Sequence, residues 1–398
     1  MKKAYKYRLN PNKQQRELLE RYFGCTRYVY NWALGRKKEA YENDKTNLSY
    51  EDLCKELTQL KKEEDKEWLA EAPAQQLQQA IRNMSAAYQR FFRENKGYPK
   101  FKSKKFSKQS LNYPQKVRID FENHRLTFPK IGDVKFFKNR TFDGTVKTVT
   151  LSKTPTGKYF AAVLVEDNTE LPTKAPITVE TAVGIDVGIK DFAVLSNGQV
   201  FANPKYLEKA EKRLKVLQRR LSKKQKGSNR REKARKAVAK QHEVVSNSRA
   251  NFLHQVTSMI IRENQTVVIE DLNVEGMLKN HLLAKHISSA SWHEFFRQLQ
   301  YKCEWSGKNL IRIGRFEPSS KTCVCGHIYK ELKLSERTWR CPECGTVNDR
   351  DLLAANNIKR FGLQQRLSHT KTSPAVSGVE LVEQPAIVGA MKREYVQV

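Results

Sequence analysis

Long apolar runs are missing from this chain: none approaches the roughly 18 residues that a spanning helix requires. Its first residues, MKKAYKYRLNPNKQQ, also lack the apolar core of a secretory signal. Both absences predict a soluble, cytoplasmic protein with no membrane partner. Cysteine is scarce, seven among 398 residues, and Cys25, Cys54 and Cys303 are scattered, as buried or free thiols are. The other four crowd between 323 and 344, which in a reducing compartment suggests a metal and not a disulfide framework. Acidic side chains are under-represented, 43 against 74 Lys and Arg, for a formal charge of +31. Solubility alone does not call for such an excess. It points to a polyanion, because neutralising phosphates releases counterions. The cations are not confined to one amphipathic face, so nucleic acid suits them better than an anionic membrane.

The length allows roughly two to four modules. Ala4 to Leu9 reads as a short strand halted at Asn10-Pro11. Leu18, Leu19, Tyr22 and Phe23 share one helical face, and Leu77, Ile81, Met84, Tyr88 and Phe91 share another, with Pro73 suited to the turn ahead of it. Residues from about 12 to 95 therefore form a helical module. A basic connector with interleaved aromatics follows, Gly97-Tyr98-Pro99-Lys100-Phe101-Lys102; it suits phosphate tracking with base stacking, or a solvated loop. From about 113 to 166 the period becomes two, predicting a small antiparallel β module of barrel type with a hairpin at Thr156-Gly157. Asp167 to Thr181, with two prolines, has linker composition.

Beyond it the pattern is α/β. Strands are expected at Val183–Val187, Phe192–Leu195, Thr266–Glu270 and Leu310–Ile313. Two long helices precede the third of these, joined near Gly227-Ser228-Asn229 by dense Lys and Arg: a solvated hairpin or a nucleic-acid rail. Ser291-Trp292-His293-Glu294 has the spacing of a capping box. After about Ser373 no periodicity remains, as in a disordered tail.

Three acids stand out by position. Asp186 ends an apolar strand in Val-Gly-Ile-Asp-Val-Gly-Ile-Lys, Glu270 closes Val-Val-Ile-Glu, and Asp351 opens a helix expected to run to Arg360. Carboxylates on buried strands are costly unless compensated. Strand ends side by side in a mostly parallel sheet would gather them. Mutual repulsion then calls for divalent cations, and two Mg²⁺ ions fit oxygen ligands and phosphodiester chemistry. Singly, each acid also fits a structural role: a turn cap for Asp186, a lysine salt bridge for Glu270, an N-cap for Asp351. Asp191, Asp271 and Asp349 are neighbouring substitutes.

Cys323-Val-Cys325-Gly and Cys341-Pro-Glu-Cys344-Gly form two knuckle-like turns separated by about fifteen residues. Four thiolates around a closed, tetrahedral, structural Zn²⁺ follow. One residue separates the first pair where two are usual, which leaves His327 open as a substitute ligand.

These residues also resemble a known family, the TnpB (OrfB) proteins of bacterial insertion sequences, relatives of type V CRISPR effectors. The likeness spans nearly the whole chain. It runs through Lys-Tyr-Arg-Leu-Asn-Pro-Asn, Phe23-Gly-Cys-Thr-Arg-Tyr-Val-Tyr-Asn31, Gly97 to Lys102, Gly184-Ile-Asp-Val-Gly-Ile-Lys-Asp191, Glu270-Asp271-Leu272, Pro318-Ser-Ser-Lys-Thr-Cys323 and Asn348-Asp-Arg-Asp351. The resemblance implies a multidomain α/β protein. Residues 1–10 would begin a wedge β-barrel, 11–105 an inserted helical recognition module, and 106–180 the rest of the barrel with its linker. An RNase H-like RuvC domain would occupy 181–315 and 348–372, interrupted at 316–347 by a zinc-ribbon nucleic-acid-binding insert, with a disordered tail at 373–398. It implies a guide RNA from the transposon end, a double-stranded DNA target, and cleavage by Asp186, Glu270 and Asp351 holding Mg²⁺. Two departures stand out: the short first knuckle, and Leu353 where many relatives carry asparagine. RNA-guided DNA endonuclease is the expected function. The alternatives are a nuclease-silent guided repressor, a RuvC-like transposase that joins strands, and, last, a non-specific zinc-ribbon DNA binder.

Overall fold

The computed structural model describes residues 1–105, 107–333, 335–370 and 393–397. The chain divides into two compact units at Glu170/Leu171, inside the proline-bearing segment read as a linker.

In the first unit, β1 (Lys2–Asn10) is followed by α1 (Lys13–Asp44), α2 (Tyr50–Leu60), a 3-10 turn (Glu64–Glu71) and α3 (Ala74–Glu94). Then come β2 (Gln109–Tyr113), β3 (Arg118–Asp120), β4 (Arg125–Phe128), β5 (Gly132–Phe137), β6 (Thr145–Lys153) and β7 (Tyr159–Glu166). Pro11 ends β1, and Asn12 at once starts α1 through a capping box: Gln15 N–H donates to Asn12 Oδ1 at 2.9 Å and Asn12 N–H to Gln15 Oε1 at 3.0 Å. α2, which apolar periodicity did not single out, opens on a second such box at Ser49 and Asp52. The seven strands form one antiparallel sheet in the order β2-β6-β7-β1-β5-β4-β3. The first strand of the chain is thus central, pairing with both β5 and β7, and the helices are an insertion between β1 and β2. Tyr159, Ala161, Val163 and Val165 alternate inward along β7 onto a core shared with α1 and α3.

The second unit contains β8 (Ala182–Val187), β9 (Asp191–Leu195), β10 (Gln199–Ala202), α4 (Tyr206–Ser222), α5 (Asn229–Glu263) and β11 (Thr266–Glu270). It continues with α6 (Val274–Met277), α7 (Ala284–Ala290), α8 (Trp292–Trp305), β12 (Asn309–Ile313), β13 (Thr338–Arg340), β14 (Val347–Asp349), α9 (Arg350–Thr370) and β15 (Glu394–Val396). Six strands order as β12-β11-β8-β9-β10-β15. The sheet is mixed: β12, β11 and β8 run parallel, while β9 and β10 return antiparallel.

Both faces of the sheet are covered, and the period of two decides which residue meets which cover. Val183, Ile185, Val267 and Ile269 point into a core with Phe252 and Val256 of α5 and Phe295 and Leu299 of α8. The alternate positions, Gly184 with Asp186 and Val268 with Glu270, therefore face α9. Ile358 of α9 packs on Val268, Ile311 and Ile313. A Cβ at Gly184 would collide with the Ala355 carbonyl oxygen and lie 2.6 Å from Lys359 N. The missing side chain is what lets the helix backbone reach the sheet.

Three expectations need correction. Ser291 does not open α8 with a capping box: it sits at φ 59°, ψ 42° as the end of α7, and its hydroxyl donates to Ser288 O at 3.2 Å. A left-handed residue turns its side chain away from the amides of the next helix, and Glu294 pairs with Arg297 instead. The helix carrying Asp351 does not stop at Arg360 but extends to Thr370. Of the tail expected at 373–398, residues 373–392 and 398 lie outside the described residues. Residues 394–396 form β15, parallel to β10, a strand too short to show a period.

Gly184→Ala is expected to lower stability by about 1–3 kcal/mol, since α9 must shift to admit the methyl group. Gly24→Ala, in α1 with open space around the position, should leave stability unchanged or raise it by about 0.5–1 kcal/mol. Urea denaturation of both variants checks the contrast; equal effects would contradict the close approach.

Candidate functional site

Register places the first two acids. β8 and β11 pair in parallel with Gly184 opposite Val268 and Ile185 opposite Ile269, so the next step sets Asp186 beside Glu270 at the same strand ends and on the α9 face. Adjacent strands lie about 4.8 Å apart. α9 brings the third. Ala355 rests over Gly184, and Asp351 lies one helical turn earlier on the same side, buried.

Electrostatics reflects this placement. Asp186 is held well above the usual carboxylate range, first by burial, then by the charges of Glu270 and Asp351. Glu270 is raised by burial, offset in part by Ser319, whose hydroxyl donates to Glu270 Oε1 at 2.6 Å. Glu270 and Asp351 both repel Asp186, and Asp351 satisfies its oxygens elsewhere. Arg337 Nη1 donates to Oδ1 at 2.9 Å, and Arg393 Nη2 to Oδ2 at 3.1 Å.

Arg393 comes from the residue preceding β15 and also reaches Asp349 at 2.8 Å and Asp191 at 3.2 Å. Of the three substitute acids, Asp191 and Asp349 thus border the centre, while Asp271 pairs outward with Arg315. Asp349, not Asp351, caps α9: its Oδ1 accepts the backbone N–H of Asp351 and of Leu352, each at 3.1 Å. Burial pushes Asp349 upward, but the Arg393 hydrogen bond and those backbone amides outweigh it and leave the group below its ordinary value.

The cysteines gather as a separate cluster. The ligand atoms of Cys323, Cys325, Cys341 and Cys344 all lie within 4.8 Å of one another, the one group of this kind among the described residues. Sγ of Cys323 is 3.6 Å from that of Cys344, and Sγ of Cys325 is 3.7 Å from that of Cys341. Each knuckle turns on a left-handed glycine, Gly326 at φ 90° and Gly345 at φ 69°. A bridge between Thr322 and Ile328 closes the first knuckle, and the β13–β14 pairing closes the second. His327 is not in the group; its Nδ1 lies 3.6 Å from Glu343. Leu353 packs against Cys323, Leu332, Trp339 and Cys341, so the position that departs from the family pattern joins α9 to the knuckles.

Ser319, Arg337, Asn357 and Arg393 escaped the sequence reading. Ser319 lay in a motif with no spacing rule attached, and Arg393 is 42 residues from Asp351 with no signal linking them.

Arg393→Ala is expected to cost about 1–3 kcal/mol near pH 7, between the values for exposed and buried pairs. Asp349 is depressed in the folded state, so this stabilisation is complete above the unfolded pKa of about 4. It is lost as pH falls through the lower folded value. Urea midpoints of variant and parent should therefore converge in acid; a constant gap down to strongly acidic pH would refute the ion-pair account.

Comparison with known proteins places the chain in a family. The OrfB_IS605 family, described as "Probable transposase", matches residues 162–281, and the "Cas12f1-like, TNB domain" family matches 292–358. A family described as "Helix-turn-helix domain" matches 1–46, which here is one strand and one long helix. A Streptomyces pristinaespiralis protein named "Putative RNA-guided DNA endonuclease" is 41% identical over 91% of this chain and 90% of its own. Escherichia coli K12 "Putative RNA-guided DNA endonuclease InsQ" is 33% identical over 90% and 92%. A Cas12f1 chain solved in a "Cas12f1-sgRNA-target DNA complex" overlaps with TM-score 0.48 at 13% identity, covering 90% of this chain and 98% of that one. With such identity across nine-tenths of the chain, this protein belongs to the TnpB (OrfB) family of insertion-sequence proteins.

Proposed function

We propose that this protein is an RNA-guided DNA endonuclease that cuts phosphodiester bonds at one centre formed by Asp186, Glu270 and Asp351. The observation that carries this reading is the register of β8 and β11, which aligns two strand-end acids beneath the helix bearing the third. The donor set suits Mg²⁺, being all oxygen, with charges that repel and a raised Asp186 that a divalent ion would relieve. Two such ions, when bound, supply an activated water and stabilise the leaving oxygen. The sheet fixes the backbone positions of Asp186 and Glu270, and Asp351 is oriented by the cap at Asp349 and by Arg337. Arg393 forms ion pairs with Asp351, Asp349 and Asp191 and offsets part of their negative charge.

Residues 181–315 and 348–372 then act as the RuvC-like nuclease and 316–347 as its zinc-bearing insert. The first unit supplies a wedge barrel (1–10 and 106–180) with an inserted recognition module (11–105). A guide RNA derived from the transposon end pairs with one strand of the DNA target, so base pairing supplies specificity while the +31 chain grips phosphates. In the knuckles, sulfurs around a tetrahedral Zn²⁺ at about 2.3 Å stand about 3.8 Å apart, close to the 3.6 and 3.7 Å separations of the paired thiols. The thiols titrate together: hydrogen bonds with Thr346 pull Cys344 down to about 6, while at Cys325 the lowering by the His327 backbone is outweighed by hydrogen bonds with Cys344, Cys341 and Cys323, which push it up to about 12.

Sequencing the RNA that co-purifies with the protein, followed by Mg²⁺-dependent cleavage of a matched duplex, tests the reading. A defined flanking transcript and cleavage that Asp186→Ala abolishes, with guide and target binding retained, is the expected result. Random cellular RNA fragments would sink the guided reading. A wild type that binds but does not cut would leave a repressor, and joined strands from transposon ends would make it a transposase.

Elemental analysis should find one zinc per chain, and Cys341→Ser should lose it along with stability. A Cys341→Ser variant that keeps both would remove the four-thiolate site.

A further inference from the structure

The stretch Pro318-Ser-Ser-Lys-Thr322, just ahead of the knuckle cysteine Cys323, is not accounted for by the carboxylates or by the knuckles, yet it lies between them. Its backbone is a tight turn: Lys321 and Thr322 N–H both donate to Pro318 O at 3.1 Å, and the Thr322 hydroxyl donates there at 2.7 Å. Asn357, buried on α9, donates to Ser319 O at 2.7 Å and to Thr322 O at 2.6 Å, clamping the turn to the helix that carries Asp351. From this clamped turn the buried Ser319 reaches Glu270 Oε1 at 2.6 Å. One continuous path thus joins α9 to the strand-end glutamate.

A glutamate at a strand end has three side-chain torsions, and fixing a long polar side chain costs up to about 1.5–2 kcal/mol of rotamer entropy. Repulsion from Asp186 and Asp351 would favour rotamers that swing Glu270 away. A hydroxyl held rigidly at one carboxylate oxygen opposes that swing and leaves the other oxygen free. We propose that Ser319 is a positioning residue of the carboxylate centre: its hydroxyl sets the orientation of Glu270, and Asn357 locks that setting to the helix bearing Asp351. This inference rests on the cation-holding reading of the centre. It assigns Ser319 no contact with substrate.

The test titrates the full-length protein with Mn²⁺ alone, counting only sites that Asp186→Ala removes, and then follows cleavage against Mg²⁺ concentration. Ser319→Ala should weaken Asp186-dependent Mn²⁺ binding by about 10-fold, the lower end for loss of a ligand-orienting partner. The Mg²⁺ needed for half-maximal cleavage should rise in step. Guide and target binding in EDTA should not change, which a general folding defect would not spare. Ser319→Thr, which keeps the hydroxyl, should restore Mn²⁺ affinity to near the wild-type value. Wild-type Mn²⁺ affinity in Ser319→Ala, or failure of Ser319→Thr to recover it, overturns the positioning role while the centre stands. A wild-type protein without Asp186-dependent Mn²⁺ sites overturns the centre and this inference together.

Discussion

The second unit is organised by how closely α9 approaches the strands beneath it. At Gly184 the helix backbone occupies the space a Cβ would need, and at Gly362 the helix comes down on Val268 and Ile311 in the same way. Two glycines, one on the sheet and one on the helix, therefore fix the height of α9 and its crossing point. Because a strand alternates faces, the residue two beyond Gly184 and the residue two beyond Val268 must emerge beneath the start of that helix. These are Asp186 and Glu270. Packing and acid placement are one constraint, not two.

Gathering carboxylates runs against the energetics of burial, and the surroundings show how the charge is managed. Asp186 is raised by burial and by its neighbours, Glu270 is bonded by Ser319, and Asp351 is shared between Arg337 and Arg393. Arg393 immediately precedes a three-residue strand that adds to the sheet edge, so main-chain pairing of β15 with β10 brings a counter-charge to the acids. The cysteine knuckles attach to the same helix through Leu353. One helix thus connects both clusters, and a change in its first two turns would be felt at each.

Much of this was legible in the chain. Period-two alternation marked β3 to β7, short apolar runs marked β8, β9, β11 and β12, and helical spacing gave α1, α3, α4 and α5, because burial leaves a repeating or continuous apolar mark; β2 and β10 left none. The cysteine cluster was legible because ligand spacing is local, and the three acids because carboxylates at the ends of apolar strands are costly. Short or locally capped pieces were not. α2 depends on a box at Ser49, and the Ser291 box failed because the preceding helix α7 set its backbone left-handed. Asp349 rather than Asp351 became the cap of α9, a choice between two neighbouring acids that spacing does not make.

By itself the sequence determined the strongly basic balance, the α/β pattern, the thiol cluster and the identity of the strand-end acids. Each of these is written in composition or in residues near one another along the chain. Tertiary structure alone decided that Asp186 stands in register with Glu270, that Ser319 reaches the glutamate, and that Arg393 closes on three aspartates. Those relations depend on strand register and on one close helix approach, which bring together residues tens of positions apart, where local periodicity carries no information.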